Sequence, residues 1–373
     1  MASVAPVANG VHGTESSDRK FTVAGAQLGA IDTSTPRQEV LARCISLMDA
    51  AYKRGVKLIV FPEIALTTFF PRYLIQDAQE LESYFEHEVD GDATKTPSMK
   101  PIFDKAREYK MDVYLGFSEC DSSAPSDEHV HYNSAVYFSA AADKVISKYR
   151  KVHLPGTVEP YEHKNAVNQL EKRYFRPGNL GFEAFRAPGL VPGALKKASG
   201  AESNQPDTFG KGDPIVGMLI CNDRRWPEAW RAYGLQGVEL VLCGYNTTAW
   251  APDLLGVKLS VSTKEEAKAE ALFHNQLTIT HGSYVNACWS INVAKCGMED
   301  GEFPLIGGSC IVDPDGIVVA EAQTEEDELV VAEIDLEACR RGKGKVFAFD
   351  RHRRTEHYGR LVNQTGVVEP EFL

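Results

Sequence analysis

Residues 214–246 read PIVGMLICNDRRWPEAWRAYGLQGVELVLCGYN, and the order of apolar and helical segments in this stretch decides the fold class. Two apolar runs, 214–222 and 238–246, have the length and composition of buried strands. Between them, Pro227 suits the first turn of a helix that we expect to extend to about Leu235. A strand, a helix and a second strand in succession are typical of an α/β protein, in which helices cover a sheet.

The same alternation extends along most of the chain. Helical spacing of apolar residues predicts helices over 36–54, about 98–110 and 264–279. A Pro-Asp-Gly turn between two apolar runs indicates a hairpin over 309–322. Further strands are predicted over 21–30, 57–63, 112–120, 132–140, 143–154, 283–295 and 328–336. Because helices interleave with strands early and strands dominate late, we expect helix-covered sheets with mixed strand directions.

Three segments fall outside this alternation. Residues 1–20 are rich in Ser, Gly and Ala, and we expect them to be disordered. Residues 193–213 are polar and could link two domains, but similar strands continue on both sides, so we interpret them as a surface insertion. The core is then one domain over 21–345. Residues 346–373 mix charges with scattered aromatic side chains, and we expect this tail to pack at a subunit interface.

Composition limits the classes of function. The chain has 373 residues with 52 acidic and 40 basic side chains, a net charge of -12. This balance argues against nucleic-acid binding, which needs a basic face, but a locally basic pocket could still take an anionic small molecule. No apolar run approaches the ~20 residues that span a bilayer, so we expect no membrane association. The eight cysteines form no CxxC pair and mostly lie in apolar runs, which is typical of a cytoplasmic protein without disulfides.

Polar residues follow three of the predicted strands. They are Glu63 in IVFPEIALT, Lys151 in KYRKVHLPG and Cys221 in GMLICNDRRWPE. In α/β folds, ligands bind where strands end, so these three side chains could converge. A carboxylate can take the proton of a thiol, and a lysine together with the N–H of Asn222 can stabilise an oxyanion. Taken singly, each residue also fits an ordinary role as core filler, cap or surface group. No metal-ligand spacing occurs, and we predict no metal and no cofactor.

Taken together, these three segments resemble the signature segments of the nitrilase superfamily in their order and spacing. The resemblance covers about residues 21–360 and implies a four-layer αββα sandwich with a C-terminal tail. It implies Glu63 as the base, Lys151 as the oxyanion stabiliser and Cys221 as the nucleophile in hydrolysis of C–N bonds other than peptide bonds. It also implies a homodimer or homotetramer.

Four motifs resemble one subgroup more closely, the N-carbamoyl-D-amino acid amidohydrolases. The resemblance implies that Glu171 is a second active-site glutamate, that Arg224 and Arg225 hold the substrate carboxylate, and that Asn246 and Thr247 form the pocket wall. The motifs are CNDRRWPE (221–228), QLEKRYF (169–175) with GNLGF after it, CGYNT (243–247) and HRRTEHYG (352–359).

The arginines fit this interpretation on physical grounds, because a planar guanidinium binds a carboxylate bidentately. The alternative is that Arg225 belongs to a structural salt-bridge cluster with Asp223 and Glu228. His153, two residues beyond Lys151, could support the site by hydrogen bonding, and His274 is a weaker candidate.

The chain also departs from the subgroup. Gln169 stands where the subgroup has a histidine, and Trp250 and Leu254 follow CGYNT, so we expect an altered side-chain pocket. The expected activity is hydrolysis of the ureido C–N bond of N-carbamoyl amino acids, with the D enantiomer preferred. The alternatives are an amidase, a β-ureido acid hydrolase or a nitrilase, and, from another class, a non-catalytic binding module.

Overall fold

The computed structural model describes residues 18–121, 123, 130–163, 165–194, 210–256 and 263–373. Within these ranges the chain forms strands β1–β15 and helices α1–α10. The strands are β1 Lys20–Gln27, β2 Leu58–Val60, β3 Glu86–His87, β4 Asp112–Cys120, β5 His131–Ser139, β6 Lys144–Arg150, β7 Phe185–Arg186, β8 Ile215–Ile220, β9 Leu240–Tyr245, β10 Trp289–Ala294, β11 Cys296–Glu299, β12 Phe303–Ile306, β13 Cys310–Val312, β14 Val318–Glu321 and β15 Glu328–Asp335. The helices are α1 Arg37–Lys53, α2 Ala78–Glu82, α3 Lys100–Tyr109, α4 Glu171–Tyr174, α5 Pro227–Leu235, α6 Pro252–Leu255, α7 Lys264–Asn286, α8 Cys339–Arg341, α9 Phe349–His352 and α10 Gly359–Asn363.

Two large mixed sheets organise the molecule. The first has the order β15-β1-β2-β4-β5-β6, with β3 paired to β4, and the second has the order β14-β13-β10-β9-β8-β7. Parallel pairs occupy the middle of each sheet, and antiparallel pairs occupy the edges. The α/β fold with mixed strand directions, predicted from the sequence, is therefore confirmed.

The sheets pack face to face and carry helices on their outer faces. Residues of the first sheet such as Val60 and Tyr114 share one buried cluster with Met218 and Leu242 of the second. Helices α1 and α3 pack against the outer face of the first sheet, and α5 and α7 cover the second. This four-layer order is the predicted αββα sandwich, and it brings the carboxyl ends of β2 and β8 close together.

One helix is longer than its sequence pattern predicts. Helix α7 continues to Asn286, so the predicted strand over 283–295 is wrong in its first part and begins only at Trp289. Tertiary packing explains the difference, because Gly282 lies directly against the Trp230 ring and the Ser283 hydroxyl is 2.7 Å from that of Ser290. The β11–β12 hairpin is also absent from the sequence prediction.

The described residues begin slightly before residue 21. Residues 1–17 of the predicted disordered tail lie outside the described residues. The prediction is wrong for 18–20, because Arg19 is buried and forms an ion pair of 2.8 Å with Glu239, and Lys20 pairs with Asp335 in β1. Two buried opposite charges outweigh the disorder-promoting composition around them.

Two other predictions concern segments near the surface. Most of the predicted insertion, 195–209, lies outside the described residues. In the C-terminal tail, α9 and α10 are present and almost every side chain from Arg351 onward is exposed, and contact with another subunit stays a prediction. The eight cysteines, all within the described ranges, are buried and free. None of the described helices has both the length and the apolar composition that crossing a bilayer requires.

Candidate active site

Cys221 lies at the carboxyl end of β8, on a tight turn. Its backbone has φ 47°, in the left-handed region, and a 3-10 turn over Cys221–Arg225 follows before α5 begins at Pro227. A residue other than glycine in this region costs about 1–3 kcal/mol, and such strain concentrates at functional sites. The thiol is 5% exposed, and its Sγ is 3.6 Å from the carbonyl oxygen of Asn246. The strand-to-helix turn predicted from the sequence is present.

Lys151 connects two carboxylates beside this turn. Its Nζ donates to Glu63 Oε1 at 2.7 Å and to Glu171 Oε2 at 2.6 Å, and all three side chains are fully buried. Lys151 directly follows β6, Glu63 follows β2, and Glu171 begins α4. The structure therefore brings together residues that are separated by 88 and 20 positions in the chain.

Close backbone contacts fix the positions of Glu63 and Lys151. A side chain at Gly244 in β9 would come within 2.7 Å of the Glu63 backbone nitrogen, so glycine is required there. Gly178 donates to the Lys151 carbonyl oxygen at 2.8 Å, and a Cβ at Gly178 would clash with the Arg150 carbonyl oxygen. Ile64, directly after Glu63, also has a left-handed backbone with φ 45°. Close backbone packing therefore fixes the backbone both at Glu63 and at Lys151.

Asn133 is a site residue that the sequence interpretation missed. It is fully buried in β5, and its Nδ2 donates to Glu63 Oε1 at 2.7 Å and to Glu171 Oε2 at 3.4 Å. The signal in the sequence is an asparagine within the apolar run YNSAVYFSA, because a buried amide needs hydrogen-bond partners. Gln169 likewise donates to Glu171 Oε1 at 2.7 Å, in the position where the resembling subgroup has histidine.

The burial of these groups shifts their pKa values. Burial lowers the pKa of Lys151, but Glu171 and Glu63 outweigh this effect and raise it above its usual value, so the ammonium stays charged. Burial raises the pKa of Glu171 to about 7, against the opposing effect of Lys151. Burial and the charge of Glu63 raise the pKa of the Cys221 thiol, although Lys151 and Arg224 lower it. The free site therefore holds a thiol, whose proton must be removed as it attacks.

The two oxygens of Glu63 differ in a way that suits proton removal. Oε1 accepts hydrogen bonds from Lys151 and Asn133, whereas Oε2 has no hydrogen-bond partner among the described residues. A buried carboxylate oxygen without a donor is able to accept a proton. Chemically, the arrangement can combine a nucleophile, a general base and a cation for a developing oxyanion.

Arg224 holds the nucleophile turn through protein contacts. Its Nη1 donates to the Cys221 carbonyl oxygen at 2.6 Å, its Nη2 donates to Thr247 Oγ1 at 3.1 Å, and its Nε donates to Asn275 Oδ1 at 2.7 Å. The guanidinium also lies over the Tyr245 ring, 4.4 Å from its centroid. Substrate binding by Arg224 stays a prediction, and the geometry assigns most of its donors to positioning.

His153 also contacts the turn rather than the pocket. Its backbone N–H and its Nδ1 lie 2.9 and 2.8 Å from Asp223 Oδ1, and its ring stacks on that of Trp226. Asn222 donates to the His153 carbonyl oxygen at 3.1 Å. The sequence left open a salt bridge between Asp223 and Arg225. In the structure Asp223 instead pairs with His153 and accepts a hydrogen bond from the Tyr149 hydroxyl.

A small pocket opens onto Cys221. Its walls combine polar groups near the thiol with apolar side chains farther out. The lining residues are Pro155, Gln169, Cys221, Asn222, Arg225, Asn246, Thr247, Thr248, Ala251, Leu254 and Leu255. Leu254 thus lies in the wall as the sequence suggested, whereas Trp250 and His274 line an adjoining depression that also includes Arg225.

Two polar side chains in this pocket, the buried Asn246 and the half-buried Arg225, lack protein partners among the described residues. The amide of Asn246 is 3% exposed, and neither its Oδ1 nor its Nδ2 has a hydrogen-bond partner among the described residues. No hydrogen bond or ion pair of the Arg225 guanidinium is present within the described part of the chain. Burial, together with Arg224, lowers the pKa of Arg225 to about 10. A bound molecule with polar groups would satisfy both side chains.

Comparison with known proteins identifies the fold and the family. The fold superposes on the crystal structure of a carbon-nitrogen hydrolase from Helicobacter pylori G27 with a TM-score of 0.69 at 19% identity, covering 92% of this chain and 99% of that one. The shared fold defines the class as four-layer α/β sandwich proteins. The family model for carbon-nitrogen hydrolases matches residues 22–343, so the chain belongs to the carbon-nitrogen hydrolase family, within the nitrilase superfamily, and is a hydrolase of C–N bonds other than peptide bonds.

Characterised relatives differ among themselves. A nitrilase from Pyrococcus abyssi is 26% identical over 316 residues, which are 84% of this chain and 90% of the relative. An N-carbamoylputrescine amidase from Solanum lycopersicum is 24% identical over 356 residues, which are 94% of this chain and 97% of the relative.

Proposed function

We propose that the chain hydrolyses the ureido C–N bond of N-carbamoyl amino acids, preferring the D enantiomer, to give the amino acid, ammonia and carbon dioxide. The observation that carries the proposal is the unpartnered guanidinium of Arg225 in the same pocket as Cys221. The preference for D substrates rests on the resemblance of the CNDRRWPE, QLEKRYF and CGYNT motifs to N-carbamoyl-D-amino acid amidohydrolases.

A carboxylate is the ligand that best satisfies Arg225. Arg225 is half-buried, and a partly desolvated cation without a counter-ion is unfavourable, the more so because Arg224 next to it adds a second positive charge. A carboxylate accepts two parallel N–H donors from a guanidinium and supplies the missing negative charge. N-carbamoylputrescine, the substrate in the name of one relative, carries an ammonium group instead, which two guanidinium groups would repel.

The contacts at the site support the following reaction. Cys221 Sγ attacks the ureido carbon while Glu63 Oε2 accepts the thiol proton, and the oxyanion is stabilised by Lys151 Nζ and by the N–H of Asn222. As the C–N bond breaks, Glu63 returns the proton to the departing nitrogen. Water, deprotonated by Glu63, then attacks the thioester-like intermediate, and Glu63 returns that proton to the departing thiolate of Cys221. The carbamic acid that is released decomposes to carbon dioxide and the remaining amine.

Glu171 has a different part in this scheme. Its Oε2 accepts from Lys151 at 2.6 Å, so it holds the ammonium in the direction of the reacting carbon. Gln169 and Asn133 in turn hold Glu171. The four side chains form a buried network in which Lys151 has only one position available.

The carboxylate assignment is tested with Arg225→Ala. A panel of N-carbamoyl-D-, N-carbamoyl-L- and β-ureido acids, simple amides and nitriles is assayed for ammonia release. For carboxylate substrates we expect KM to rise about 10- to 100-fold, because this factor corresponds to the free energy of one charged hydrogen bond. For neutral amides we expect little change in KM. Arg54→Ala, at an exposed position after α1, is the matched control. Equal losses on neutral and carboxylate substrates would contradict the assignment and favour an amidase or a nitrilase.

The catalytic assignment is tested with Cys221→Ala, for which we expect no turnover of any substrate and an unchanged circular dichroism spectrum. Iodoacetamide should modify Cys221 before the other seven cysteines, because Cys221 lines the pocket, and a carboxylate ligand should protect it. Full activity of Cys221→Ala would refute the mechanism. Absence of activity in the wild type on the whole panel, with no protected thiol, would support a non-catalytic binding module.

A further inference from the structure

A second group of chemically reactive side chains lies away from the candidate active site, at the end of the first sheet. It consists of Glu82, His87, Cys120 and His131, which come from α2, β3, β4 and β5. The catalytic scheme uses none of them. Because they are distant in the sequence, spacing along the chain gives no sign of the group, which explains why the sequence analysis predicts no metal.

Strand register brings three of these residues into one row. His87 pairs with Cys120 across the parallel β3–β4 ladder, and Cys120 pairs with His131 across the antiparallel β4–β5 ladder. Residues directly opposite each other in a sheet project from the same face, with their Cβ atoms about 5 Å apart. The row therefore presents a thiol flanked by two imidazoles.

The carboxylate of Glu82 completes the group. Its Oε1 is 3.0 Å from His87 Nε2, and its Oε2 is 3.2 Å from His131 Nε2. The ligand atoms of Glu82, His87 and Cys120 all lie within 4.8 Å of one another. Three potential donor atoms thus surround one point in space, and His131 Nε2 lies beside them, within reach of Glu82.

The acidic residues next to Cys120 form ion pairs with Arg150 and are not part of this group. Glu119 and Asp121 flank Cys120 in the chain, but their carboxylates lie 2.7 and 3.1 Å from Arg150 Nη2. Phe85 covers the group on one side, stacked on the His131 ring at 3.7 Å between centroids. The side chain of His87 is 57% exposed, so an ion could enter from the solvent on that side.

We propose that Glu82, His87, Cys120 and His131 bind one Zn²⁺ ion. Thiolate, imidazole and carboxylate are the ligands that zinc prefers, and four of them match its tetrahedral coordination. Bonds of about 2.0–2.3 Å place tetrahedral ligand atoms roughly 3.3–3.8 Å apart, so the side chains need to close by about an ångström. The exposed His87 is free to make this adjustment.

Binding would fix the segment between α2 and β3 against the sheet. Phe85 in that segment belongs to an apolar cluster with Phe70, Phe175 and Leu170, and Leu170 directly precedes Glu171. Because the ligands come from four elements that are held together only in the folded chain, the ion would stabilise the native state by mass action. The site is therefore structural, separate from the reacting groups.

The test uses the full-length protein, freed of metal by a chelator, and titrated with Co²⁺. Cobalt occupies zinc sites and gives a near-ultraviolet charge-transfer band when a thiolate binds it. We expect one equivalent of Co²⁺ to produce this band, Zn²⁺ to abolish it, and Zn²⁺ to raise the melting temperature. The band should persist in Cys221→Ala and disappear in Cys120→Ser.

A second variant keeps the test decisive if Cys120→Ser fails to fold. His87→Asn changes an exposed side chain, and we expect it to weaken Co²⁺ binding at least about 10- to 100-fold without lowering the melting temperature of the metal-free protein. His357→Asn, in the exposed tail, is the matched control and should leave binding unchanged. A wild type without the band, or a band that persists in Cys120→Ser or disappears in Cys221→Ala, would overturn the proposal.

Discussion

Asn133 shows how much a single neutral residue contributes to the charged site. Its amide donates to the same oxygen of Glu63 that accepts from Lys151, and it also reaches Glu171. It therefore holds two carboxylates apart while adding no charge of its own. Without it, Glu63 Oε1 would keep only the hydrogen bond from Lys151, and the carboxylate would gain freedom to rotate.

We predict that Asn133→Ala lowers kcat by about 10- to 100-fold, since hydrogen bonds to charged groups contribute about 1.5–3 kcal/mol. KM should change little, because Asn133 does not line the pocket. Steady-state kinetics on the best substrate of the panel measure both constants. Asn292→Ala, which removes another buried strand amide, serves as control and should lower stability but not kcat. An unchanged kcat in Asn133→Ala would show that Glu63 needs no such support.

Glu171 predicts a pH dependence of stability. Its pKa is raised to about 7 from the usual 4.5, so between these values the folded state binds more protons than the unfolded state. Stability attributable to this group therefore falls as pH rises from about 4.5 to about 7. Relative to Glu171→Gln, the wild-type melting temperature should decrease across that window and level off above it.

Thermal unfolding of both proteins at half-unit pH steps measures the difference. Glu162→Gln, at an exposed position, is the control and should shift no part of the profile. A melting-temperature difference that rises with pH would mean that Glu171 is ionised throughout.

At this scale the sequence predicted the ionic residues and the neutral residues of the pocket wall, and it missed Asn133. Glu63, Lys151, Glu171 and Cys221 stand in recognisable motifs, and the structure brings them together, although their catalytic roles stay predictions. Asn133 stands in no motif, because its role depends on strands that meet only in three dimensions.

At the scale of elements, helix α7 supports the candidate active site directly, so its stability should affect the site. Its Asn275 accepts from Arg224, and Arg224 holds the Cys221 carbonyl oxygen. The helix begins with a capping box, in which Thr263 Oγ1 accepts from the Glu266 N–H and Glu266 Oε2 accepts from the Thr263 N–H, both at 3.1 Å.

Thr263→Ala should lower the free energy of unfolding by about 1 kcal/mol, because the cap satisfies an N–H that the helix itself cannot. Urea denaturation followed by circular dichroism measures the change. Thr280→Ala removes a half-buried mid-helix threonine whose hydroxyl donates back to the Gln276 carbonyl oxygen, and as a control it should be nearly neutral. A loss in the control as large as that in Thr263→Ala would exclude the cap as the cause.

Element boundaries were predictable where local signals were strong. Helix α5 begins at its N-terminal proline, and β4 covers the whole predicted range 112–120. The end of α7 was not predictable, because Tyr284 and Val285 are apolar residues that suit a strand, and only packing against Trp230 and β10 keeps this segment helical.

At the scale of the whole molecule, the net charge of -12 opposes the anionic substrate that Arg225 favours. The repulsion acts over a long range and is screened by salt, whereas a contact inside the pocket is screened much less. The overall field and the local site therefore act in opposite directions.

Raising the ionic strength from about 10 mM to about 150 mM should increase kcat/KM for carboxylate substrates, by up to about tenfold, because the Debye length falls from roughly 30 Å to roughly 8 Å. Neutral amides should show no change, and they are the internal control. A decrease for the carboxylates would indicate that local attraction dominates at all distances. Initial rates at several NaCl concentrations measure the effect.

The fold class could be predicted because it depends on patterns repeated along the chain, such as alternating strands and helices. The ion pair of Arg19 with Glu239, which lies directly before β1, could not be predicted from the sequence. It joins residues that are 220 positions apart.

The left-handed backbone of Cys221 affects how variants of this protein could be selected for thermal stability. Glycine adopts this conformation without strain, and alanine does not. We therefore expect Cys221→Gly to melt at a higher temperature than Cys221→Ala, with both variants inactive, as calorimetry would show. Laboratory evolution that ranks variants by heat resistance alone would reward loss of the nucleophile, so a useful screen has to demand turnover at every round.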